Sequence, residues 1–456
     1  MTELLSTTRP ASPWLLPAAA AAATIAYLCL PFESAVNKAL SITLFIGLLW
    51  LTEALPLAIT ALAVPVLALA VQMPHLTTEK AFSAFADPIV FLFLGGFALA
   101  AALRVQQLDR KIALGLLAMS RGHARLAILG LIGLTALLSL GINNTATTAL
   151  MLPLALGLLR DVSPEAKPAL AAFLLLSIAY AASIGGMGTM VGSAPNAIAA
   201  RALGYEFNDW LRIGLPISLV LLPLMVLILW GIFRPSWPRI AIPQEDPIPW
   251  TRPRVITLGI FLATAAAWGL ASEPLKGWGI QAPHAFIAAA SVVLLSVCRV
   301  IRWPDLHREV DWGVLLLFGG GLTLAHILDS SGASQVLGQE LAQMLKGGPL
   351  LWVVGGLGLF VVCLTELASN TATAALFIPI FAGVAGELGL PREPLVMLVA
   401  LCASCAFALP VATPPNALVY GTQLIRAADM FKAGFVLNLV SLAVITLWLR
   451  HLCGSP

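Results

Sequence analysis

The stretch at residues 144–153 reads NTATTALMLP, and it returns at residues 370–379 as NTATAALFIP, with seven of the ten positions identical. Both copies place small hydroxyl and amide side chains in apolar surroundings, where a polar group without a partner is costly. A polar motif that interrupts helices in matching halves of a hydrophobic chain is typical of a transporter binding site. The rest of the sequence tests that hypothesis.

The composition indicates a helical membrane protein. Hydrophobic residues make up 59% of the chain, charged residues only 10%, and the mean hydropathy is +0.94; a soluble domain has about 25% charged residues. The apolar runs are long, whereas the strands of a membrane barrel would alternate in polarity over about ten residues. The net charge of +3 says little about partners, and we expect the lipid bilayer but no nucleic acid among them.

The cysteines and the N-terminus add little. Cys402 and Cys405 have the spacing of a redox or metal pair, but no second pair or nearby histidine accompanies them. Buried structural thiols are the simpler interpretation. No small-residue cleavage site follows the first apolar run, so we expect that run to be retained as a membrane span.

The first half of the sequence predicts several kinds of helix. Residues 126–159 form two apolar arms around 141–145, and each arm is shorter than the roughly 20 residues of a full crossing, which favours a re-entrant hairpin. Residues 168–203 are broken at 185–188 and 192–196, which predicts a discontinuous helix lining a cavity. The other predicted elements are spans at about 13–30, 39–51, 57–73, 88–104 and 213–233, and an amphipathic interfacial helix at 104–121.

The second half repeats this order of elements after a Pro- and Arg-rich connector at 234–254. A Gly-Gly pair marks the span before each amphipathic helix, at 95–96 and at 320–321. The elements are spans at about 255–271, 282–298, 314–328 and 435–450, an amphipathic segment at 334–346, a second hairpin at 350–385 and a second broken helix at 394–425. With the broken helices counted, the sequence predicts about eleven spans.

The distribution of positive charge predicts the orientation. With the N-terminus inside, 17 lysines and arginines lie in cytoplasmic segments and 8 in outer segments, as expected for the inner (plasma) membrane. The first hairpin then enters from the cytoplasm and the second from outside, so the repeat is inverted. The C-terminus is expected outside.

A helix that stops inside the membrane leaves carbonyl groups unpaired at one end and N–H groups unpaired at the other. Carbonyl, amide and hydroxyl oxygens suit a hard cation such as Na⁺, and the N–H ends suit an anion. Asn144 and Asn370 can cap the second arms of the hairpins, while Pro195 and Pro414 follow the breaks. Two tips and two breaks therefore predict two cation sites around one anion site. For any single Ser, Thr or Asn, the structural alternative is a hydrogen bond between neighbouring helices.

Three titratable residues lie near or within apolar segments. Intramembrane carboxylates are functional candidates, but Glu53 borders a turn, which favours capping or packing. Glu366 precedes the second tip, where it could orient a cation site or hold the hairpin. His326 is most simply a polar contact between helices.

At these residues the chain resembles the divalent anion/sodium symporter family, solute carrier family 13. The similarity covers the order of elements from about residue 40 to the end, and its motifs are residues 52–56, the two Asn-Thr-Ala-Thr hairpins, Thr365-Glu366 and residues 412–416. The resemblance implies an all-α, elevator-type transporter that forms homodimers. It also implies Na⁺-coupled uptake of C4-dicarboxylates such as succinate, malate and fumarate, with relatives that carry citrate or sulfate.

The resemblance also implies site residues, matched motif by motif. The first Na⁺ site would use Ser139, Asn143, Asn144 and Gly192. The second Na⁺ site would use Thr365, Ala368, Asn370 and Ala412. The substrate carboxylates would meet Asn143, Asn144, Thr145, Ser369, Asn370, Thr371, Thr413 and Pro414.

The chain departs from the family pattern twice. The first tip usually reads Ser-Asn-Thr, but here Asn143 occupies the serine position; the first break usually reads Thr-Pro-Pro, but here it is 193–195, Ser-Ala-Pro. Asn143 adds a donor, so it could change substrate choice or weaken the first cation site. Ser193 keeps a hydroxyl group, which makes the second departure milder.

These patterns predict four parts and one leading function. Residues 1–121 and 234–346 would form the static scaffold, with the connector at the start of the second segment; residues 122–233 and 347–456 would form the moving transport part. We expect Na⁺-dicarboxylate symport, with a Na⁺-independent exchanger or a sulfate or citrate carrier as alternatives. An intramembrane enzyme would need clustered acids, histidines or an activated nucleophile. A channel would need a continuous polar path, and paired hairpins argue instead for alternating access.

Overall fold

The structure is a computed structural model that describes residues 14–160, 162–237, 248–345, 350–387 and 391–453. All regular secondary structure in these ranges is helical. The residues before 14 and part of the 234–254 connector lie outside the described residues.

The first half contains the predicted hairpin and broken helix within a frame of longer helices. Its helices are α1 (Leu15–Cys29), α2 (Ser34–Thr52), α3 (Leu57–Ala70), α4 (Thr78–Ser83), α5 (Pro88–Val105), α6 (Leu108–Met119), α7 (Ala124–Ser139), α8 (Asn144–Leu158), α9 (Lys167–Gly186), α10 (Ala194–Leu203) and α11 (Phe207–Phe233).

The second half follows the same plan. Its helices are α12 (Arg252–Leu270), α13 (Ser272–Gly277), α14 (Pro283–Val297), α15 (Trp303–Glu309), α16 (Trp312–Ser330), α17 (Ala333–Leu345), α18 (Leu350–Thr365), α19 (Asn370–Glu387), α20 (Arg392–Ala403), α21 (Pro414–Tyr420) and α22 (Ala427–Cys453).

The packing of the helices confirms the internal repeat. The two helices that carry the Gly-Gly pairs are α5 and α16. Helix α5 packs on α14, and α16 packs on α3, so each of them contacts a helix of the other half. The close approach depends on glycine: a Cβ atom on Gly95 would lie 2.5 Å from the Ala288 side chain, and one on Gly320 would lie 2.6 Å from the Ala61 backbone. Small residues permit such contacts between membrane helices.

The hairpins and broken helices of the two halves pack against each other. The first hairpin (α7 and α8) packs on α9, and the second (α18 and α19) packs on α20. The segment after each break contacts helices of the opposite half: α10 lies against α19 and α20, and α21 lies against α8 and α9. Each hairpin therefore lies beside the broken helix of the other repeat.

The helix lengths agree with the predicted membrane spans. Among the described residues, seven helices are long and apolar enough to cross a membrane, and shorter apolar helices include α1, α3 and α14. The predicted 104–121 helix is shorter than expected, because α5 continues to Val105 and α6 begins at Leu108. The short helices α4, α13 and α15 were not predicted, since each has only six or seven residues and a polar composition.

Candidate functional site at the hairpin tips

The first hairpin tip brings three oxygen atoms together. The Ser139 hydroxyl, at the end of α7, lies 2.8 Å from Oδ1 of Asn144 and 2.6 Å from the carbonyl oxygen of Ala182 on α9. The predicted cap of α8 is wrong by one residue: Asn143, not Asn144, caps this helix, since its Oδ1 accepts the N–H of Ala146 at 2.7 Å, as asparagine commonly does at a helix start.

The second hairpin tip repeats this geometry. The Thr365 hydroxyl, at the end of α18, lies 2.8 Å from Oδ1 of Asn370 and 2.7 Å from the carbonyl oxygen of Ala403 on α20. A hydroxyl, an asparagine five residues later and a carbonyl of the broken helix thus recur in both halves. We call these groups the first and second oxygen clusters.

Each oxygen cluster has fewer protons than its contacts require. A Ser or Thr hydroxyl carries one hydrogen and can donate it to one acceptor, yet each hydroxyl here faces two acceptor oxygens within 2.8 Å. A hard cation that prefers oxygen ligands would satisfy such a cluster. The groups in each cluster are hydroxyl, amide and carbonyl oxygens, so the ligands offered to such a cation are neutral.

Two buried asparagines hold the unwound segments of the broken helices. Asn196 and Asn416 are 0% exposed, and each donates its side-chain amide back across its break. The acceptors, at 2.7–3.2 Å, are the carbonyl groups of Gly186, Met187 and Thr189 for Asn196, and of Ala406 and Leu409 for Asn416. These bonds replace the helical partners that the carbonyl groups have lost.

Glu366 holds the second break from the hairpin side. Its carboxylate accepts the backbone N–H groups of Ala408 at 2.7 Å and Leu409 at 2.9 Å, and the Asn438 amide of α22 at 2.6 Å. Of the two roles considered for Glu366, these bonds favour a holding role, since the carboxylate joins the hairpin to the unwound segment.

Gly192 allows the first break to approach the first tip. A Cβ atom at this position would lie 2.6 Å from the Gly186 carbonyl oxygen and 2.7 Å from the Ser139 carbonyl oxygen. Both are backbone atoms, so they cannot move aside without shifting the break or the hairpin. The second half has Ala412 at the matching position, buried with its methyl group accommodated.

We therefore expect Gly192→Ala to reduce transport strongly while the same change at Gly133, on α7, has no effect. A Cβ on Gly133 would meet nothing within 4 Å, whereas overpacking at Gly192 costs about 1–3 kcal/mol and displaces the cluster. Uptake by the two variants, measured in proteoliposomes that contain equal amounts of protein, checks this prediction. Normal uptake by Gly192→Ala would show that the close approach is dispensable.

The tips also carry donor groups that can meet an anion. Thr145, Ser369 and Thr371 are half-buried, and the N-terminal turns of α8, α10 and α19 provide N–H groups with a favourable dipole. No Lys, Arg or His lies in residues 139–145, 186–196, 365–371 or 404–416. An anion would therefore be bound by hydroxyl, amide and N–H donors.

The sequence model of the citrate transporter family matches residues 48–389 and 357–454, most of the chain. The chain belongs to the citrate transporter family. This result confirms the predicted kinship with the divalent anion/sodium symporters, and it makes the protein a transporter rather than an enzyme.

Curated relatives of the family cover almost the whole chain. An uncharacterized transporter of Haemophilus influenzae is 44% identical over 424 residues, 91% of this chain and 92% of its own length. The transporter MJ0672 of Methanocaldococcus jannaschii is 37% identical over 413 residues, 91% and 93% of the two chains. The sodium-dependent dicarboxylate transporter SdcS of Staphylococcus saprophyticus is 34% identical over 447 residues, 90% and 84% of the two chains.

Two solved structures share the fold. The YdaH transporter of Alcanivorax borkumensis superimposes with a TM-score of 0.59 at 14% identity, covering 91% of this chain and 98% of its own. MtrF of Neisseria gonorrhoeae, described as an antimetabolite efflux pump, gives a TM-score of 0.51 at 13% identity, covering 94% of this chain and 97% of its own. At these identities the likeness concerns the architecture alone.

The structure brings some of the family's motif residues into direct contact. Ser139 with Asn144, and Thr365 with Asn370, meet in the two oxygen clusters. Of the other motif residues, Ala368 and Ala412 are buried, Thr413 caps α21 by accepting the N–H of Asn416 at 3.3 Å, and Pro414 is exposed.

Three residues outside the predicted set need comment. The prediction for His326 is wrong, because the residue is exposed on α16 rather than held between helices. Asn196 and Asn416 were missed as parts of the site, although each follows the Ser or Thr of its break by three residues. That repeated spacing was the available signal.

Proposed function

We propose that the protein is a secondary transporter that carries Na⁺ together with a C4-dicarboxylate into the cytoplasm. The observation that carries this proposal is the pair of matched oxygen clusters, each with one hydroxyl hydrogen between two acceptor oxygens. One Na⁺ in each cluster would satisfy them. The similarity to SdcS, a sodium-dependent dicarboxylate transporter, supports the same conclusion.

The donors beside the clusters suit an anion with two charged ends. Each tip offers hydroxyl and amide donors and a helix N-terminus, so one carboxylate would face each tip (Asn143, Asn144 and Thr145; Ser369, Asn370 and Thr371). The two positive charges of the bound cations would balance the two carboxylates. Because no basic side chain fixes the anion, its affinity would depend on the cations, which couples the two fluxes.

Asn143 is more suitable as a substrate ligand than as a cation ligand. Its Oδ1 already accepts the Ala146 N–H at 2.7 Å, which leaves the NH₂ group as a donor for a carboxylate. The serine that the family usually has at this position offers only a hydroxyl. We therefore assign Asn143 to the substrate and Ser139, Asn144 and Gly192 to the first cation, with Thr365, Ala368, Asn370 and Ala412 at the second.

The four sequence parts also fit an elevator mechanism. Residues 122–233 and 347–456 contain both hairpins and both broken helices and would move against the scaffold of residues 1–121 and 234–346. Polar contacts between these parts include Arg201–Asp87 at 2.8 Å, Asn208 to the Gly269 carbonyl at 2.9 Å, and Lys276–Glu206.

These contacts are weak enough to break in each transport cycle. The hydrogen bond to Glu206 raises the pKa of the exposed Lys276 ammonium, which therefore stays charged at neutral pH. Exposed ion pairs of this kind contribute little to stability. We further propose a homodimer in the inner membrane, with the N-terminus cytoplasmic and the C-terminus outside, as the positive charges suggest.

The test is uptake of labelled succinate by purified protein in proteoliposomes. An inward Na⁺ gradient should drive accumulation, whereas an equal K⁺ gradient should not, since Na⁺ is the cation proposed for both clusters. Citrate and sulfate, added in excess, should compete less well than malate or fumarate.

The same assay separates the alternatives. Uptake that does not depend on Na⁺ but requires dicarboxylate inside the vesicles would show that the protein is an exchanger and not a symporter. Na⁺-driven uptake of sulfate or citrate without succinate would keep the coupling and change the substrate. Liposomes without protein provide the background.

A further inference from the structure

An apolar cavity of about 430 Å³ lies beside the second hairpin, on the face of that hairpin that packs toward α1, α2 and α17. Its wall includes Leu40, Leu44 and Leu51 from α2, and Ala372 and Leu376 from α19. Ala368, at the second tip, also lines it. The cavity thus adjoins the second hairpin along α19 and reaches its tip at Ala368.

The wall is almost entirely apolar. Apart from two threonines its side chains are hydrocarbon or indole, and the Thr43 hydroxyl is already bonded to the Ala39 carbonyl at 2.8 Å. The Thr373 hydroxyl is enclosed and faces no partner among the described atoms. A dicarboxylate or a chain of water molecules would lose hydrogen bonds on entering, whereas apolar cavities bind apolar molecules.

The cavity is continuous with the lipid-facing surface of the protein. Leu44 and Leu51 line it and are also 40% and 37% exposed, which in a membrane-spanning helix means exposure to hydrocarbon. A hydrocarbon chain can therefore enter sideways without leaving the bilayer. Filling the space restores dispersion contacts that an empty cavity would forfeit.

We propose that an acyl chain of a bilayer lipid occupies this cavity and packs between α2 and the second hairpin. The volume falls within the roughly 300–1,000 Å³ of ligand pockets. The bound chain contacts the hairpin at Ala368 and Ala372, close to the second oxygen cluster. This inference does not depend on which anion or cation the protein carries.

Photochemical labelling tests the proposal. The protein is reconstituted in phosphatidylcholine that contains a trace of phosphatidylcholine with a diazirine on one acyl chain, irradiated, digested and mapped by mass spectrometry. We expect label on α19 at residues 372–380. Of the α19 residues that line the cavity, Ala372 and Thr373 are at most 3% exposed, so lipid that stays on the outer surface would not label these two residues.

A cavity-filling variant provides the comparison. Gly47→Leu directs a side chain at the end of Leu376, a flexible group 3.0 Å from the position of a Cβ, and should abolish the label at 372–380. Gly259→Leu is the matched control, because Gly259 lies on the corresponding helix α12 with nothing within 4 Å; its label should match the wild type. Ala26→Phe fills the cavity from α1 if Gly47→Leu does not fold.

Two results would overturn the proposal. One is an absence of label at 372–380 in the wild type while the exposed faces of α2 and α12 are labelled. The other is label at 372–380 that survives in both folded filling variants, since the chain would then reach α19 by another route.

Discussion

Replacing Asn370 with alanine is expected to abolish Na⁺-driven succinate uptake while the protein remains folded. The substitution removes Oδ1 from the second oxygen cluster, where it lies 2.8 Å from the Thr365 hydroxyl. Asn370 is only half-buried, so the lost hydrogen bond should lower the free energy of unfolding by about 1–2 kcal/mol at most. Uptake in proteoliposomes, with size-exclusion profile and melting temperature as measures of folding, checks both halves of the prediction.

Variants of Thr365 sharpen this test. Thr365→Ala removes the hydroxyl and should abolish uptake as Asn370→Ala does. Thr365→Ser keeps the hydroxyl and should retain uptake, because the first cluster already uses a serine, Ser139, in the same position. Asn208→Ala, which removes a peripheral amide bonded to the Gly269 carbonyl, is the control for loss of any asparagine. Near-normal uptake by Asn370→Ala would exclude the second tip from the transport site.

Much of the fold could be predicted from the sequence because the membrane restricts the choices. Apolar runs that are too short to cross, such as the two arms around residues 141–145, can be hairpins or broken helices but cannot be lipid-exposed loops. The hairpins, both breaks and the amphipathic helices were accordingly found within a few residues of their observed bounds. The repeated stretch at 144 and 370 predicted the pairing of the two halves.

The partners of individual side chains could not be predicted in the same way. That Ser139 meets the Ala182 carbonyl, or that α10 packs on α19, depends on how the halves dock, and hydrophobic periodicity does not specify docking. The cavity beside the second hairpin was also beyond prediction, since it results from imperfect packing of α1, α2 and α19. His326 shows the same limit: a polar residue in an apolar helix can face a neighbour or an exposed surface, and the sequence does not distinguish them.

Removing the Glu366 carboxylate is expected to destabilise the protein and weaken its response to Na⁺. In Glu366→Leu, the Ala408 and Leu409 N–H groups and the Asn438 amide would lose their acceptor, and each unpaired buried donor costs about 1–3 kcal/mol. The unwound segment at 404–413 would then move, displacing the Ala403 carbonyl from the second cluster. The melting temperature in detergent and the Na⁺ concentration for half-maximal uptake should both change.

Glu366→Gln separates a holding role from direct cation binding. Glutamine keeps one oxygen, which can still accept from Ala408 and Asn438, but its NH₂ would oppose the Leu409 N–H. We therefore expect a smaller fall in melting temperature than for leucine, with a proportionate loss of Na⁺ response. Glu53→Gln, at an exposed position after α2, should change neither. If Glu366→Gln melted like the wild type yet lost all Na⁺ dependence, the carboxylate would be a cation ligand; if it kept both, Glu366 would not hold the break.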